Sequence, residues 1–242
     1  MSIQDPSTFL ELVQRFHLDA HIAGSPPTTL VGLSNPLQRN ANYVAQAWIE
    51  LQSEHEDWDF MQVTPGFSLP TVAGQQIYAP SVIPTAADAA VMVSVNGVGS
   101  WKKDTFRVYL TSQGFPSEVF MEYWDYDEWR DAYQHGTLRT SQQQPISFTV
   151  LPNLSIGLQT PLTGYTVIGD YYTAPIPFAE DGDVPSLPAQ YRMLIVYKAM
   201  MTYGLDESAS EVYNRGQRLY APLHNKLTMS RLPIIRTSGA LA

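Results

Sequence analysis

The sequence predicts an α+β protein: an antiparallel helical bundle built from the N- and C-terminal segments, with an antiparallel β domain inserted between them. Three observations carry this. Apolar side chains at Leu37, Ala41, Val44, Trp48 and Leu51 recur at steps of four and three, so they share one helical face. After the Asp57-Trp58-Asp59-Phe60 corner, helical periodicity disappears for more than a hundred residues and is replaced by turn signals and alternation. It returns only beyond Pro185. The implied organisation is a first bundle half over 1–63, a β-rich insertion with one short helix over 64–184, a second bundle half over 185–229, and an extended tail over 230–242.

Helix one is predicted from Pro6 to about Ile22. Asp5 suits the N-cap and Pro6 the first helical position, where no N–H bond is lost. Phe9, Leu12, Val13 and Phe16 form its buried stripe, and Gly24-Ser25-Pro26-Pro27 closes it. Asn35-Pro36 repeats the cap-and-proline start for helix two, which runs to roughly Glu56. In the insertion, Gly74-Gln75-Gln76 turns into a strand at Ile77-Tyr78. Val91, Val93 and Val95 alternate up to Asn96-Gly97, a hairpin signal because both positions tolerate positive φ. Phe106, Val108 and Leu110 resemble the return strand, with Trp101-Lys102-Lys103-Asp104 between that strand and the Asn96-Gly97 turn. A brief helix is expected from Tyr126 to Gln134, closed by His135-Gly136. Strands follow at Ile146-Phe148-Val150, Leu154-Ile156-Leu158 and Tyr165-Val167, with turns at Pro152-Asn153 and Thr163-Gly164. About six or more strands would make a small antiparallel sheet or barrel.

Pro175 to Pro188 reads as an acidic, proline-rich linker carrying Glu180, Asp181 and Asp183. Helix three starts near Pro188, and Met193, Val196, Tyr197, Met200 and Met201 make it apolar on a wide arc, which suits a central helix. Gly204 is expected to break it. Asp206 to Ser208 offers a cap for helix four, whose seam holds Val212, Leu219, Leu223 and Leu227 and is expected to kink or end near Pro222. The expected bundle seam is therefore Phe9, Val13, Phe16, Val44, Trp48, Leu51, Met193, Tyr197, Met200, Leu219 and Leu223.

At 242 residues with 44% hydrophobic and 12% aromatic content, the chain can bury a sizeable core. Only 15% of residues are charged, a low figure that suits a surface partly covered by partners. With no cysteine, disulfides and thiolate chemistry are excluded. Met1–Phe9 lacks the basic and apolar regions of a signal peptide, and no apolar run approaches the roughly 20 residues needed to span a bilayer, so a soluble protein with no membrane partner is expected. The net charge of −9 is uneven: from Pro188 onward seven Lys/Arg face three acids, while the first 187 residues hold 7 of the 14 bases and 20 of the 23 acids, a net −13. A basic end on an acidic body fits either docking to an acidic partner or a solvated helix face complementing its dipole.

Catalytic motifs are absent: no phosphate-binding GxxxxGK[ST], HExxH, GxSxG or GxGxxG occurs. His17 and His21, four apart on helix one, lack a clear third ligand and read as ordinary surface or interface histidines. The pairs Asp57/Asp59, Asp125/Asp127 and Asp181/Asp183 do not extend into a calcium loop and read as turn and cap residues. No catalytic, cofactor or metal site is assigned. Glu118, Glu122 and Asp125 beside Tyr123, Trp124 and Trp129 could form a sugar-binding surface, or the aromatics could fill the β core.

The runs Thr8–Phe16 (TFLELVQRF), Ala47–Met61 (AWIELQSEHEDWDFM), Trp101–Tyr109 (WKKDTFRVY), Gly164–Pro175 (GYTVIGDYYTAP) and Leu187–Gly204 (LPAQYRMLIVYKAMMTYG) follow one another in this order. Together they resemble the head-to-tail connector, or adaptor, family of tailed bacteriophages. The resemblance implies a non-enzymatic virion protein, made in the host cytoplasm. It would assemble as a dodecameric ring below the portal protein, extend the DNA channel and give tail proteins, such as nozzle or tail-completion proteins, a platform. It implies further that the C-terminal segment reaches the portal, which maps onto Arg231, Pro233, Ile234, Ile235 and Arg236, and that genomic DNA passes an acidic lumen without specific binding. The competing reading is a tail-associated carbohydrate-binding or glycan-hydrolysing protein that uses the aromatic-acidic β region.

Overall fold

The computed structural model describes residues 7–94, 97–135, 138 and 143–232. Its longer helices are α1 (Phe9–Asp19), α2 (Asn35–Ser53), the single turn α3 (Tyr126–Trp129), α4 (Met193–Asp206) and α5 (Ser210–Arg231). The strands are β1 (Gln62–Pro70), β2 (Ile77–Tyr78), β3 (Val98–Leu110), β4 (Val119–Phe120), β5 (Glu122–Tyr123), β6 (Ser147–Val150), β7 (Ile156–Leu158) and β8 (Tyr165–Thr173). Two units result: Met1–Phe60 with Pro175–Ala242, and Met61–Ala174. The protein is α+β.

In the helical unit, α1 begins on a capping box rather than on proline. Thr8 Oγ1 accepts from the Glu11 N–H at 3.3 Å, and the Glu11 carboxylate accepts from the Thr8 and Ser7 N–H groups at 3.2 and 2.7 Å. Threonine followed three residues later by glutamate satisfies orphan first-turn donors reciprocally. The predicted Asp5 cap and Pro6 start lie outside the described residues. The α1 helix stops at Asp19 rather than Ile22, with His21 in the left-handed region at φ 52°. Ser34, not Asn35, sits at the N-cap of α2, which ends at Ser53, short of Glu56.

The α4 helix packs against α1, α2 and α5. Leu194, Ile195, Val196, Ala199 and Met200 are buried along it, whereas Met193 and Tyr197 are only half-buried. Gly204 does not break this helix. A Cβ there would lie 2.7 Å from the Tyr213 backbone nitrogen, and one on Gly216 would lie 2.9 Å from the Tyr197 carbonyl oxygen. The two glycines let α4 and α5 approach closely. Nor does Pro222 end α5, which continues nine residues past it to Arg231, three beyond the last expected helical position at Thr228.

The segment expected to be a linker is bonded to the helices. Phe9 N–H donates to the Asp183 carbonyl at 2.8 Å and Leu10 N–H to the Asp181 carbonyl at 3.1 Å, which satisfies further first-turn donors of α1. The Asp181 carboxylate accepts from Thr29 Oγ1 at 2.7 Å and from Leu30 N–H at 3.1 Å. Buried Gln52 brackets Ile176, donating to its carbonyl at 3.1 Å and accepting from its N–H at 3.0 Å. Phe178 stacks on Phe9 with 4.5 Å between ring centroids.

The other unit holds two four-stranded sheets, ordered β1-β8-β3-β4 and β2-β7-β6-β5. Their shared core includes Phe67, Trp101, Phe106, Phe148, Ile156 and Val167, with Phe106 and Phe148 stacked at 4.1 Å. Pairing is antiparallel except between β5 and β6, which are parallel. Trp101–Asp104, expected between the turn and the return strand, is part of the thirteen-residue β3, whose register against β8 shifts between Lys102 and Arg107. The expected strand through Val91 and Val93 forms only an isolated bridge, Pro84 to Met92, and Val95 and Asn96 lie outside the described residues. Thr163-Gly164 joins β7 to β8 in the other sheet, so it is no hairpin turn. The nine-residue β1 is unannounced in sequence because Pro65-Gly66 sits in its middle, where its register shifts between Val63 and Phe67. The brief helix forms as α3 followed by a π turn over Arg130–Gln134.

Gly204→Ala tests the close crossing. Alanine improves helix propensity by up to about 1 kcal/mol, but here the overpacking against Tyr213 should dominate at about 1–3 kcal/mol. The expected outcome is a lower urea midpoint. A raised midpoint would mean that the crossing does not require glycine.

Candidate functional site

The corner after α2 folds back on the helix it leaves. Trp58 is fully buried and its indole N–H donates to the Leu51 carbonyl at 3.1 Å, satisfying one of the last carbonyls of α2. Phe60 lies between Trp58 and Trp48, with centroids at 5.3 and 6.4 Å. The end of α5 reaches the same corner, where Arg231 Nη1 donates to Asp59 Oδ2 at 3.1 Å. Arg231 is thus the last helical residue rather than part of an extended tail. Pro233, Ile234, Ile235 and Arg236 lie outside the described residues.

One turn before the corner, the Glu54 carboxylate collects three donors. Lys198 Nζ from α4 and Tyr220 Oη from α5 (2.9 Å) share Oε1, and His224 Nε2 from α5 contacts Oε2 at 2.7 Å. Glu50 adds a longer contact to Lys198 at 3.6 Å. Burial works to raise the Glu54 carboxyl, but hydrogen bonds and charge from Lys198, then Tyr220 and His224, outweigh it and hold the group below the usual carboxylate value. Burial, followed by the Glu54 charge, drives the Tyr220 hydroxyl far upward, so it stays a donor.

Of the expected seam, Phe9, Val13, Phe16, Val44, Trp48, Leu51 and Met200 are buried, while Met193, Tyr197, Leu219 and Leu223 are half-buried. In α5 only Gly216 and Leu227 are buried, and Met229 is 83% exposed. On this helix Arg215 pairs with Asp19 and Arg231 with Asp59, but Arg218 and Lys226 have no ion-pair partner among the described residues. In the β unit, Phe115 and Phe120 are 68% and 64% exposed.

The aromatic-acidic cluster does not form an open platform. Trp129 and Tyr133 are core residues, Trp124 packs on Tyr133 at 5.8 Å, and Tyr123 packs on Phe148 at 5.7 Å. Glu118 is engaged in an ion pair with Arg107, whose guanidinium lies over Phe120, while Glu122 and Asp125 face solvent. The two α1 histidines have different roles. Buried His17 contacts the Gly24 carbonyl at 3.2 Å and Asn40 at 3.5 Å; His21 contacts Arg215 at 3.1 Å. No group of three metal-ligating side chains occurs among the described residues, and no described helix is long and apolar enough to cross a membrane.

A family model described as SU10 adaptor protein matches residues 7–232, from the α1 cap to just past the end of α5. The chain belongs to the SU10 adaptor family. This is a phage head-to-tail adaptor family, which makes the chain a phage adaptor protein and a virion component with a structural role. No individually curated protein matches it. In this SU10 adaptor, sequence reasoning missed the Glu54 cluster; the only signal was a glutamate ending a helix whose partners lie more than 140 residues away.

Because its folded pKa is depressed, Glu54 contributes stability that is present above the unfolded value of about 4.5 and lost as pH falls through the lower folded value. Glu54→Gln should lower stability at pH 7 by about 2 kcal/mol. It should also flatten the loss of stability seen between pH 5 and 3. Urea midpoints across that range are the check, and parallel acid profiles for the two proteins would refute the assignment.

Proposed function

We propose that the chain closes into a dodecameric ring below the portal, extends the DNA channel and gives tail proteins an attachment platform. α1, α2, α4 and α5 would form an antiparallel bundle as the body of each subunit. In support, Arg39 and Tyr43 near the start of α2 bond Glu207 and Asp206 at the end of α4, at 2.8 and 2.9 Å, while Glu54 just past the end of α2 bonds Lys198 nearer the α4 start. The observation that carries the reading is α5: a 22-residue helix in a phage adaptor with only two buried residues, and so a surface for neighbours. Exposed Phe115 and Phe120 on the β unit suit an aromatic contact with another virion protein. The acidic body would let packaged DNA slide past without sticking, since attraction to phosphates would impede it.

In this reading the segment after α5 docks on the portal through Pro233, Ile234, Ile235 and Arg236, with Arg231 holding its root to Asp59. Leu227 is buried and Ser230 contacts the Tyr191 hydroxyl at 2.9 Å, so a clean truncation falls after Leu232. The truncated protein should unfold at the same urea midpoint as the full chain yet fail to join portal-bearing capsids. Negative-stain images with purified portal would reveal this as loss of the stacked ring. Full attachment by the truncated protein would sink the tail-docking reading.

A further inference from the structure

The helical unit carries two unlike surfaces, each with something left unpaired. On α5, Arg218, Pro222, Lys226 and Met229 follow at steps of four, four and three, so they form one outward stripe, and all four are exposed. Its two cations lack ion-pair partners among the described residues, whereas Arg215, His224 and Arg231 on the same helix are engaged with Asp19, Glu54 and Asp59. At about 1.5 Å per residue the stripe extends some 16 Å.

The second surface is the 176–184 segment. Asp181 accepts from Thr29 and Leu30, and Asp183 accepts from the Ala179 and Glu180 N–H groups at 2.6 and 2.9 Å. Those two backbone bonds hold Asp183 below the usual carboxylate value. Glu180 is exposed, and its carboxylate takes no donor among the described residues. Ile176 and Val184 on the same segment are each 56% exposed. Beside it a cleft of about 530 Å³ opens, its lining mostly apolar (Leu33, Ala41, Ala45 and Phe178) with Gln38, Asn42 and Glu180 among its polar residues. No hydrogen bond joins this segment to α5 among the described residues.

We infer that the α5 stripe of one copy seats on the 176–184 segment of the next, with Arg218 and Lys226 meeting Glu180 and Met229 entering the cleft. This rests on the ring reading and assigns its two faces. A rotationally closed ring needs two different complementary patches on every subunit. Here one patch is cationic with a flexible thioether and the other is anionic with an apolar recess, so second copies fit each other. Methionine suits an irregular recess because it is unbranched and polarizable. The small exposed residues Ala221 and Pro222 leave the middle of the stripe low enough for close approach.

Charge reversal tests the pairing in the full chain, since all the residues involved are exposed and leave the core intact. One variant combines Arg218→Glu with Lys226→Glu; the other is Glu180→Arg. Assembly is read by sedimentation velocity in solution and by ring formation on portal-bearing capsids. Each variant alone should need about tenfold or more protein to assemble, because like charges then face each other. An equimolar mixture should recover wild-type assembly: every alternate contact is then a swapped pair and every other one native. Wild-type assembly by both single variants, or no recovery on mixing, overturns the inference while leaving the ring in place. A wild-type chain that forms no ring by either readout removes the ring reading, and this inference falls with it.

Discussion

The helical unit depends on one carboxylate. Glu54 sits just past the last turn of α2, and its two oxygens gather donors from both C-terminal helices. A charge partly removed from water is costly unless it is paired and hydrogen-bonded, and α4 and α5 supply the donors that offset the burial of Glu54. The converse also holds. Lys198 has a side chain only 15% exposed, and without Glu54 it would keep only the longer contact to Glu50 at 3.6 Å. Segments separated by more than 140 residues are thereby held in one arrangement. The corner that follows can then be placed reproducibly, with Trp58 locked to Leu51 and Arg231 closing on Asp59.

Backbone satisfaction explains the second organising contact. The first turn of an α-helix leaves four N–H groups without internal partners. In α1 these are shared between the Thr8/Glu11 box and the carbonyls of Asp181 and Asp183. A stretch with the composition of a solvated linker is thus ordered by someone else's orphan donors, by Gln52 and by the Phe9–Phe178 stack. Its acids are divided between internal work and exposure, which leaves Glu180 as the carboxylate without an internal donor.

Most of the helical grammar was legible, because periodicity reports burial directly: Val13, Phe16, Val44 and Leu51 are all fully buried. Failures came where a residue's meaning is set by a distant partner. Gly204 reads as a breaker, since glycine is a poor helix former, but its value lies in the approach of Tyr213. Trp101-Lys102-Lys103-Asp104 reads as the stretch before a return strand, whereas it lies within β3, with Trp101 buried and its indole N–H donating to the Leu154 carbonyl at 2.8 Å. Pro65-Gly66 hid β1, although Gly66 is there because a Cβ would lie 2.7 Å from the Gly169 carbonyl oxygen. Of the two roles open to the aromatics near Glu118 and Glu122, the packed one fits, since Trp129 and Tyr133 are buried and Tyr123 packs on Phe148. The Glu54 cluster was hard to see because Lys198, Tyr220 and His224 lie more than 140 residues from Glu54 in the chain.

Why α5 should be so polar and yet so long follows from the same accounting. Most helical stability in proteins comes from packing an apolar face rather than from propensity. With Gly216 and Leu227 buried and Leu219, Tyr220 and Leu223 only half-buried, α5 packs a thin face. It is held also by the glycine crossing with α4, by Tyr220 and His224 on Glu54, and by Arg215 and Arg231 on Asp19 and Asp59. Polar anchoring at intervals fixes the helix while freeing its outer side from the core. Arg218, Lys226 and Met229 lie on that outer side, and in the proposed ring they are the residues that meet the next copy.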